Sequence, residues 1–170
     1  MQSNKSTIKI YKNKEMIHKT AKIHPLAYIE PNVEIGENTN IGPFSIVRSG
    51  AKIGKNCKFT AYDEIRENVV IGDNSTFGSR CTICAETIIG NNVTIKYGFV
   101  TTTMDFNSKK DLNAGTVGDN SLVGANVMLA PGGSIGKNSV IGACSQVRSV
   151  VGDNEVWFGN PAKFYRTNDK

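Results

Sequence analysis

Large aliphatic or phenylalanine side chains recur at every sixth position over most of the chain. The series runs without a miss from Ile17 to Ile95, stops at Thr101, and resumes in a shifted frame from Val117 to Val147. Its members are Ile17, Ile23, Ile29, Ile35, Ile41, Val47, Ile53, Phe59, Ile65, Ile71, Phe77, Ile83, Ile89, Ile95, Val117, Val123, Leu129, Ile135, Ile141 and Val147. Four places after each member, the side chain is nearly always small or β-branched.

A period of six fits neither an α-helix nor an ordinary alternating strand. It predicts a short strand and a turn repeated three times per coil of about 18 residues, wound into a triangular parallel β-helix. Glycine often follows the large residue and asparagine often lies two places further on, and both tolerate turns with positive φ. We therefore predict an all-β fold of about seven such coils, with Ile17, Ile35 and Ile53 in one internal stack and Ile23, Ile41 in a second.

The segment VTTTMDFNSKKDLNAG, residues 100–115, interrupts the repeat. Because a solenoid coil tolerates insertions at its turns, we predict an extended loop over about residues 101–116. The remaining chain is predicted to divide into a basic N-terminal arm or cap (1–16), the β-helix (17–151) and a C-terminal cap and tail (152–170).

Charge and hydropathy narrow the choice of partners and location. The formal net charge is +5, and its N-terminal lysine cluster has neither interleaved aromatic residues nor a nucleic-acid-binding motif. This favours small acidic ligands over nucleic acid. No apolar run approaches the length of a membrane span, and residues 1–16 lack the apolar core of a signal peptide. We therefore expect a cytoplasmic protein without a membrane span.

The cysteines and histidines do not form a metal-binding pattern. The chain has four cysteines and two histidines, and the Cys81-x-x-Cys84 pair has no second pair beside it. His18 and His24 lie far upstream. We expect no metal site and interpret the cysteines as small buried residues in a reducing compartment.

Two stretches carry a resemblance to a known family. IHPLAYIEPNVEIGENTNIGPFSIV (23–47), and LAPGGSIGKNSVIGACSQV (129–147) followed by GNPAKFYR (159–166), resemble the hexapeptide-repeat acyltransferase superfamily, and its sugar-nucleotide acetyltransferases in particular. The resemblance implies a left-handed β-helix, acetyl-CoA as co-substrate, a nucleotide-linked sugar as acceptor, and a homotrimer with its sites between subunits. γ-Class carbonic anhydrases share the repeat, but they need three histidines on zinc.

The interrupting loop lacks the residue that the resemblance implies. Many acetyltransferases of this superfamily have a histidine base there, and Met104 stands at about that place; Arg80 stands where related enzymes tend to have asparagine. Three hypotheses remain: an N-acetyltransferase whose amine acceptor needs no strong base, an O-acetyltransferase with Asp105 as base, and a non-catalytic scaffold or binding subunit. The missing histidine favours the amine acceptor, because an amine is intrinsically nucleophilic and orientation can replace a base.

Candidate site residues follow from the loop and from the resemblance. Asp105 is the candidate catalytic residue, at the acceptor amine, and a solvated loop carboxylate is the alternative. Arg80 would hold a nucleotide phosphate, unless it forms a surface ion pair. Small side chains would let the CoA pantetheine approach the backbone, and two basic residues would meet the CoA phosphates. The candidates for substrate binding are Arg80, Thr103, Met104 and Asn107, and those for CoA binding are Gly124, Ala125, Ala130, Gly142, Ala143, Lys163 and Arg166.

Overall fold

The structure is a computed structural model that describes residues 16–103 and 115–169. Every regular element in these ranges is a β-strand, and none is a helix of the length and apolarity that a membrane crossing requires. The strands are β1 Lys22–Ile23, β2 Tyr28–Ile29, β3 Glu34–Ile35, β4 Asn40–Ile41, β5 Ile46–Val47, β6 Lys52–Ile53, β7 Lys58–Phe59, β8 Glu64–Ile65, β9 Val70–Ile71, β10 Thr76–Phe77, β11 Thr82–Ile83, β12 Ile88–Ile89, β13 Thr94–Ile95, β14 Val100–Thr101, β15 Thr116–Val117, β16 Leu122–Val123, β17 Met128–Leu129, β18 Ser134–Ile135, β19 Val140–Ile141, β20 Gln146–Val147, β21 Val150–Val151, β22 Glu155–Gly159 and β23 Ala162–Thr167.

These strands form three sheets, which are the faces of a left-handed parallel β-helix. Face I contains β1, β4, β7, β10, β13, β16, β19 and β22, with β23 added antiparallel at its end. Face II contains β2, β5, β8, β11, β14, β17 and β20, and face III contains β3, β6, β9, β12, β15, β18 and β21. Each successive set of three strands is one coil, from coil 1 (β1–β3) to coil 7 (β19–β21), which confirms the predicted fold.

The inward position of each two-residue strand explains the period of six. The second residue of each strand points inward and is almost always buried, whereas the first is exposed or half-buried. In face III, Ile35 pairs in register with Ile53, and Ile17 bridges to Ile35, so the first predicted stack is confirmed. The second stack includes Phe59 and Phe77, whose rings stack at 4.4 Å. Stacking identical large residues from coil to coil supplies a continuous core.

Three corners connect the faces of the β-helix. The chain turns from face I to face II at corner 1, from face II to face III at corner 2, and from face III to face I at corner 3. Corner 1 comprises residues 24–27, 42–45, 60–63, 78–81, 96–99, 124–127 and 142–145; corner 2 comprises 30–33, 48–51, 66–69, 84–87, 102–115, 130–133 and 148–149; corner 3 comprises 36–39, 54–57, 72–75, 90–93, 118–121, 136–139 and 152–154.

The interruption of the repeat is an insertion at corner 2 of coil 5. Strand β14 ends at Thr101 and β15 begins at Thr116, so the insertion occupies residues 102–115. Thr101 is itself buried in the inward position, and β14 pairs with β17 opposite Leu129. The inward series therefore continues through Thr101, where we expected it to stop.

The four cysteines differ in burial more than we expected. Cys57 and Cys81 are buried, Cys84 is half-buried and Cys144 is exposed. Our interpretation of all four as buried was wrong for Cys144, because it occupies the solvent-facing third place of a corner-1 turn.

Candidate functional site

The loop leaves a coil that is closed by hydrogen bonds. The buried Thr101 Oγ1 accepts a hydrogen bond from the Cys84 N–H at 2.7 Å and lies 3.2 Å from Thr87 Oγ1. The next residue, Thr102, donates its N–H to the Leu129 carbonyl at 3.0 Å. Thr101 and Thr102 thus close the coil, and the loop departs only after them.

The chain re-enters the coil against Leu129. A Cβ added at Gly115 would lie 2.5 Å from Leu129 Cδ2, and one added at Gly133 would lie 2.9 Å from Leu129 Cδ1. Both distances are shorter than real Cβ contacts allow. Glycine is therefore required where the loop returns to the coil, and Leu129 fills the corner between the two glycines.

Two of the predicted site residues lie at this corner. Thr103 is half-buried at the start of the loop, and the buried Ala130 directly follows Leu129, the partner of Thr102. Met104, Asp105 and Asn107 lie outside the described residues, so their roles remain predictions.

A second group of predicted residues lies at corner 1. Gly124 donates its N–H to the Ile141 carbonyl at 2.8 Å, and a Cβ added there would lie 2.5 Å from the Ala143 nitrogen. Ala125 accepts a hydrogen bond from the Cys144 N–H at 2.8 Å. The four small residues proposed for CoA thus form one close-packed backbone surface over coils 6 and 7. They are Gly124, Ala125, Gly142 and Ala143.

Strand β23 brings one predicted basic residue near this surface. Lys163 is exposed and pairs with Phe158, whose Cβ is the nearest atom to a Cβ added at Gly142, at 2.7 Å. Arg166 pairs further along with Val156 and donates to the Thr167 carbonyl at 2.7 Å. Lys163 therefore lies beside the small-residue surface, and Arg166 lies farther from it.

Arg80 belongs to corner 1 of coil 4, on the same edge as the small-residue surface. It is exposed and forms no ion pair with a described carboxylate. Strand β11, Thr82–Ile83, separates it from corner 2, where the loop begins one coil later. Two sets of the described predicted residues thus lie at opposite ends of face II: Thr103 and Ala130 at corner 2, and Arg80 with the small-residue surface at corner 1.

Corner 1 also holds bulky residues in an unusual backbone conformation. Phe44, Tyr62 and Arg80 have φ of 58°, 58° and 64°, in the left-handed region. Asparagine and glycine adopt this region readily, but other side chains occupy it at a cost of about 1 kcal/mol or more. In three successive coils, therefore, a large side chain extends from this edge although its backbone conformation is unfavourable.

Two grooves run along this edge. One, of about 310 Å³, is lined by residues of coils 1 to 3, including Lys22, His24 and Lys58. The other, of about 330 Å³, is lined by Tyr62, Arg80 and neighbouring residues of coils 3 to 6. Such volumes lie at the lower end of the range for small-molecule sites. The remaining residues of the second groove are Ala61, Ser79, Tyr97, Gly98 and Asn126.

The charge around these grooves is of one sign. Between Lys22 and Cys144, no exposed carboxylate lies among the described residues of face I or corner 1. Carboxylates instead lie on the other faces and corners, where Glu30 pairs with Arg48 at 2.8 Å and Glu34 with Lys52 at 2.9 Å. A cleft lined by one sign of charge concentrates ligands of the opposite sign. The edge therefore suits an anionic ligand.

One buried acid lies behind corner 1, and the sequence analysis missed it. Asp63 is 1% exposed; its Oδ1 accepts the Cys81 N–H at 2.9 Å, and its Oδ2 has no described partner. Burial raises the pKa of this carboxyl from its ordinary value of 3.8 to about 6. A signal was present, because Asp63 occupies a place in the repeat that is small or β-branched in nearly every other hexad, Phe99 being an exception.

The described residues do not assemble a metal site. Residues 16–103 and 115–169 contain no group of three or more histidine, cysteine or acidic side chains arranged to hold a metal. In the Cys81-x-x-Cys84 pair, burial raises the pKa of Cys81 to about 12. The Cys84 Sγ donates to the Thr101 carbonyl at 2.9 Å. The Cys81 thiol is therefore buried in the coil, and the Cys84 thiol contributes a hydrogen bond within it.

Fold and edge together define a hexapeptide-repeat protein. Residues 11–116 match the family model of the GMPPB C-terminal domain, and residues 115–149 match the bacterial transferase hexapeptide model, which describes six repeats. The first match spans more than half of the chain, which therefore belongs to the family of the GMPPB C-terminal domain.

Curated relatives match the chain over short segments. An acetyltransferase-like protein of Saccharomyces cerevisiae is 49% identical over 51 residues, which cover 30% of this chain and 26% of that protein. The acyl-(acyl-carrier-protein)–UDP-N-acetylglucosamine O-acyltransferase of Vibrio atlanticus is 63% identical over 30 residues, or 18% of this chain and 12% of that enzyme. The matched region thus spans about a quarter or less of these relatives.

Solved structures match over most of the chain. The N-acyltransferase AntD from Bacillus cereus, in complex with dTDP and 3-hydroxybutyryl-CoA, has a TM-score of 0.64 at 18% identity and covers 89% of this chain and 81% of its own. The polySia-specific acetyltransferase NeuO has a TM-score of 0.59 at 22% identity, covering 87% and 82%. GDP-perosamine N-acetyltransferase from Caulobacter crescentus, with CoA and GDP-perosamine, has a TM-score of 0.55 at 19% identity, covering 86% and 57%. These matches establish the shared fold.

Proposed function

We propose that this protein is an acetyl-CoA-dependent acetyltransferase that modifies an amino group on a nucleotide-linked sugar. Acyl transfer is supported by the match of residues 115–149 to the bacterial transferase hexapeptide model and by the acyltransferase names of the curated relatives. Fold neighbours bound to CoA together with dTDP or GDP-perosamine support a nucleotide-linked acceptor. The acid-free edge with its two grooves is the surface of this chain that suits such a ligand.

The positions of the two histidines are the observation that carries the choice of an amine. His18 lies just before coil 1 and His24 lies within it, whereas the loop leaves coil 5. At about 4.8 Å per coil, four coils separate the His24 backbone from the loop by roughly 19 Å along the axis. Neither imidazole therefore lies near the point at which the loop leaves the coil. A hydroxyl acceptor depends on a general base more than a neutral amine does, because the amine is itself nucleophilic.

The reaction follows from this assignment. The amine lone pair attacks the thioester carbonyl of acetyl-CoA, the C–S bond of the tetrahedral intermediate breaks, and CoA leaves as a thiolate. The nitrogen loses one proton, which passes to the thiolate directly or by way of a nearby carboxylate, for which Asp105 is the candidate. The products are the N-acetyl sugar and CoA.

Backbone groups of corner 1 are suited to hold the developing oxyanion. The N–H groups of Ala125 and Ala143 donate to no described acceptor, while those of Gly124 and Gly142 bond to the next coil at 2.8 Å. A free N–H held on rigid backbone stabilises an oxyanion without reorganisation. We assign Ala125 and Ala143 as the candidate oxyanion donors.

A homotrimer would join the two sets of predicted residues. The loop base at corner 2 and the small-residue surface at corner 1 lie at opposite ends of face II in one subunit. If the loop of one subunit contacts corner 1 of its neighbour, Asp105 reaches the CoA surface across the interface. Sedimentation equilibrium should then give three times the chain mass.

Mass spectrometry of reaction products tests the proposal. We expect transfer from acetyl-CoA to UDP-, GDP- or dTDP-linked amino sugars, with at least about a hundredfold lower rates on the matching hydroxyl sugars. Asp105→Asn should slow transfer by less than about a hundredfold, since the amine needs little base assistance. Transfer to hydroxyl sugars alone would reverse the assignment to an O-acetyltransferase. A chain that shows no calorimetric binding of acetyl-CoA would be a scaffold.

A further inference from the structure

The third place of each corner-1 turn forms a column of side chains along the edge, here called the corner-1 column. Its register is fixed by backbone hydrogen bonds from each turn to the one before it, as from the Arg80 N–H to the Ala61 carbonyl at 3.1 Å and from the Gly98 N–H to the Ser79 carbonyl at 3.0 Å. Successive members therefore lie one coil apart. The column consists of Leu26, Phe44, Tyr62, Arg80, Gly98, Asn126 and Cys144.

Side chains on successive coils of this column are close enough for their rings to stack. The rings of Phe44 and Tyr62 stack with centroids 4.9 Å apart and planes inclined by 15°. Beyond Arg80, the column reaches Gly98, its one member without a side chain, and then Asn126. The Asn126 side-chain oxygen lies 2.4 Å from where a Gly98 Cβ would be. Rotation of that amide leaves between Arg80 and Asn126 a place, here called the open place, of the spacing at which rings stack.

The open place lies within the larger groove and is surrounded by groups that suit a ring with polar edges. The groove over Gly98 is lined by the exposed Tyr62 and Tyr97, by the Arg80 guanidinium and by the Asn126 amide. Guanidinium and aromatic faces stack on nucleobases, and amides bond to base edges. No carboxylate lines this groove.

Positive charge continues from this groove toward the first coil. Lys22, Asn40 and Lys58 are register partners on face I, so the two lysine Cα atoms lie about 10 Å apart along the axis. Both lysines line the neighbouring groove, whose lining includes Thr60, and the groove over Gly98 is lined by the next residue, Ala61. Arg80 and Lys58 thus lie one and two coils from Gly98 on the coil-1 side, and Lys96 lies in the same turn as Gly98.

We propose that the corner-1 column binds a nucleoside diphosphate, with the base in the open place over Gly98. The base stacks on Arg80, and the diphosphate extends toward Lys58 along the acid-free edge. This inference rests on the proposed function and specifies where the nucleotide of the acceptor is held. CoA also contains a nucleoside diphosphate, but the surface predicted for CoA begins in the turn that contains Asn126 and extends away from Gly98 to coil 7.

A single substitution can fill the open place without disturbing the turn. Gly98 has φ of +70°, which asparagine tolerates. The nearest obstacle to a Cβ there is the side-chain oxygen of Asn126, which can rotate away. Stacked asparagines already occur at every turn of corner 3. Gly98→Asn should therefore fold and close the site.

Gly50→Asn is the matched control. Gly50 occupies the same place in a corner-2 turn, with φ of +79° and with the side-chain oxygen of Asn68 as its nearest obstacle. It lies on another edge and lines neither groove. This variant introduces the same side chain in the same environment, away from the proposed site.

Titration calorimetry of the full-length protein with UDP, GDP, dTDP, ADP, CoA and inorganic pyrophosphate tests the proposal. We expect Gly98→Asn to weaken UDP, GDP or dTDP binding by about tenfold or more, because base stacking is lost. Pyrophosphate binding should be unchanged in Gly98→Asn and weakened in Arg80→Ala and Lys58→Ala. Gly50→Asn should bind like the wild type.

Several results would overturn the assignment. If Gly98→Asn binds the nucleotides as tightly as the wild type does, the base lies elsewhere. If it loses CoA and ADP binding while UDP, GDP and dTDP binding persists or was never present, the groove holds the cofactor instead.

Failure of the proposed function is distinguishable from failure of this inference. A protein that binds UDP, GDP or dTDP in a Gly98-dependent way but transfers no acetyl group contradicts only the function. A protein that acetylates sugar nucleotides equally well with Gly98→Asn contradicts only the site.

Discussion

Corners 1 and 3 turn the chain with the same left-handed backbone conformation but with different residues. Both turn the chain through a residue with positive φ in the third place of the turn, at corner 3 in all seven coils and at corner 1 in coils 2 to 7. At corner 3 that residue is asparagine in seven successive turns, with φ between 54° and 60°, and neighbouring amides are linked by hydrogen bonds of 3.0 to 3.4 Å. At corner 1, phenylalanine, tyrosine and arginine occupy it in coils 2 to 4.

The residues at the third place of the turn differ in what they contribute at the two corners. Each asparagine of corner 3 accepts the left-handed conformation at little cost and adds a hydrogen bond to its neighbour. Tyr62 and Arg80 occupy the same conformation at a cost and leave their side chains exposed to solvent. Residues that oppose the local backbone preference recur where a protein binds its ligands. This contrast supports our proposal that corner 1 binds the ligand, whereas corner 3 stabilises the coil; at corner 2, Glu86 also has positive φ, of 63°.

The largest expected effect comes from the buried acid behind corner 1. Because burial raises the pKa of Asp63 to about 6, the folded chain holds a proton that the unfolded chain has released. The stability from this protonated form is complete below pH 3.8 and is lost as the pH rises through about 6. Asp63→Ser should therefore raise the free energy of unfolding at pH 7.5 by about 3 kcal/mol and change it little near pH 4.

Urea denaturation at the two pH values measures this effect. Serine suits the site because the Ser45 Oγ, one coil earlier in the same inward place, accepts the Asp63 N–H at 3.3 Å. Ser75→Ala, at the same inward place of corner 3, should give a pH-independent change. Equal effects of Asp63→Ser at both pH values would show that folding does not raise the pKa of Asp63.

Breaking the asparagine ladder should cost somewhat less. Asn74 accepts from Asn56 Nδ2 at 3.0 Å and donates to Asn92 Oδ1 at 3.2 Å. Asn74→Ala removes both bonds and places a Cβ residue without local compensation at φ of 60°. We expect a loss of about 2 kcal/mol in the free energy of unfolding.

Asn74→Gly separates the two causes, because glycine adopts the conformation freely. It should lose only the hydrogen-bond part, about 1 kcal/mol. If alanine and glycine destabilise the protein equally, the conformational argument for corner 3 is incorrect.

The smallest change in stability is expected at corner 1, and it has the opposite sign. Arg80→Asn places at φ of 64° a residue that prefers this conformation, and it breaks no ion pair with a described residue. The free energy of unfolding should rise by about 1 kcal/mol. A decrease would indicate that the arginine stabilises the edge.

The repeat determined the fold because each hexad specifies one strand and one turn. Ile35 and Ile53, or Phe59 and Phe77, stack because coils of 18 residues place them in register, and the period was visible in the sequence. The asparagines of corner 3 were equally predictable as turn residues. The fold was predictable because the backbone preference of each turn residue and the inward position of each large residue can both be read within a single hexad.

The candidate site was only partly predictable. Arg80, Gly124 and Gly142 were identified, but counting in steps of 18 would also have placed Phe44 and Tyr62 in the same column as Arg80. Asp63 was missed because a lone acid in a small-residue series looks like a substitution in a turn. The environment of its carboxyl group depends on three-dimensional burial, which no pattern of spacing reports.

Stability and activity measured together on Arg80→Asn test the central claim most directly. The claim is that corner 1 holds bulky residues in the left-handed conformation for binding, at the expense of stability. The account predicts a higher melting temperature together with at least about a tenfold lower kcat/KM for a nucleotide-linked amino sugar, in the same preparation. A higher melting temperature with unchanged kcat/KM would contradict it.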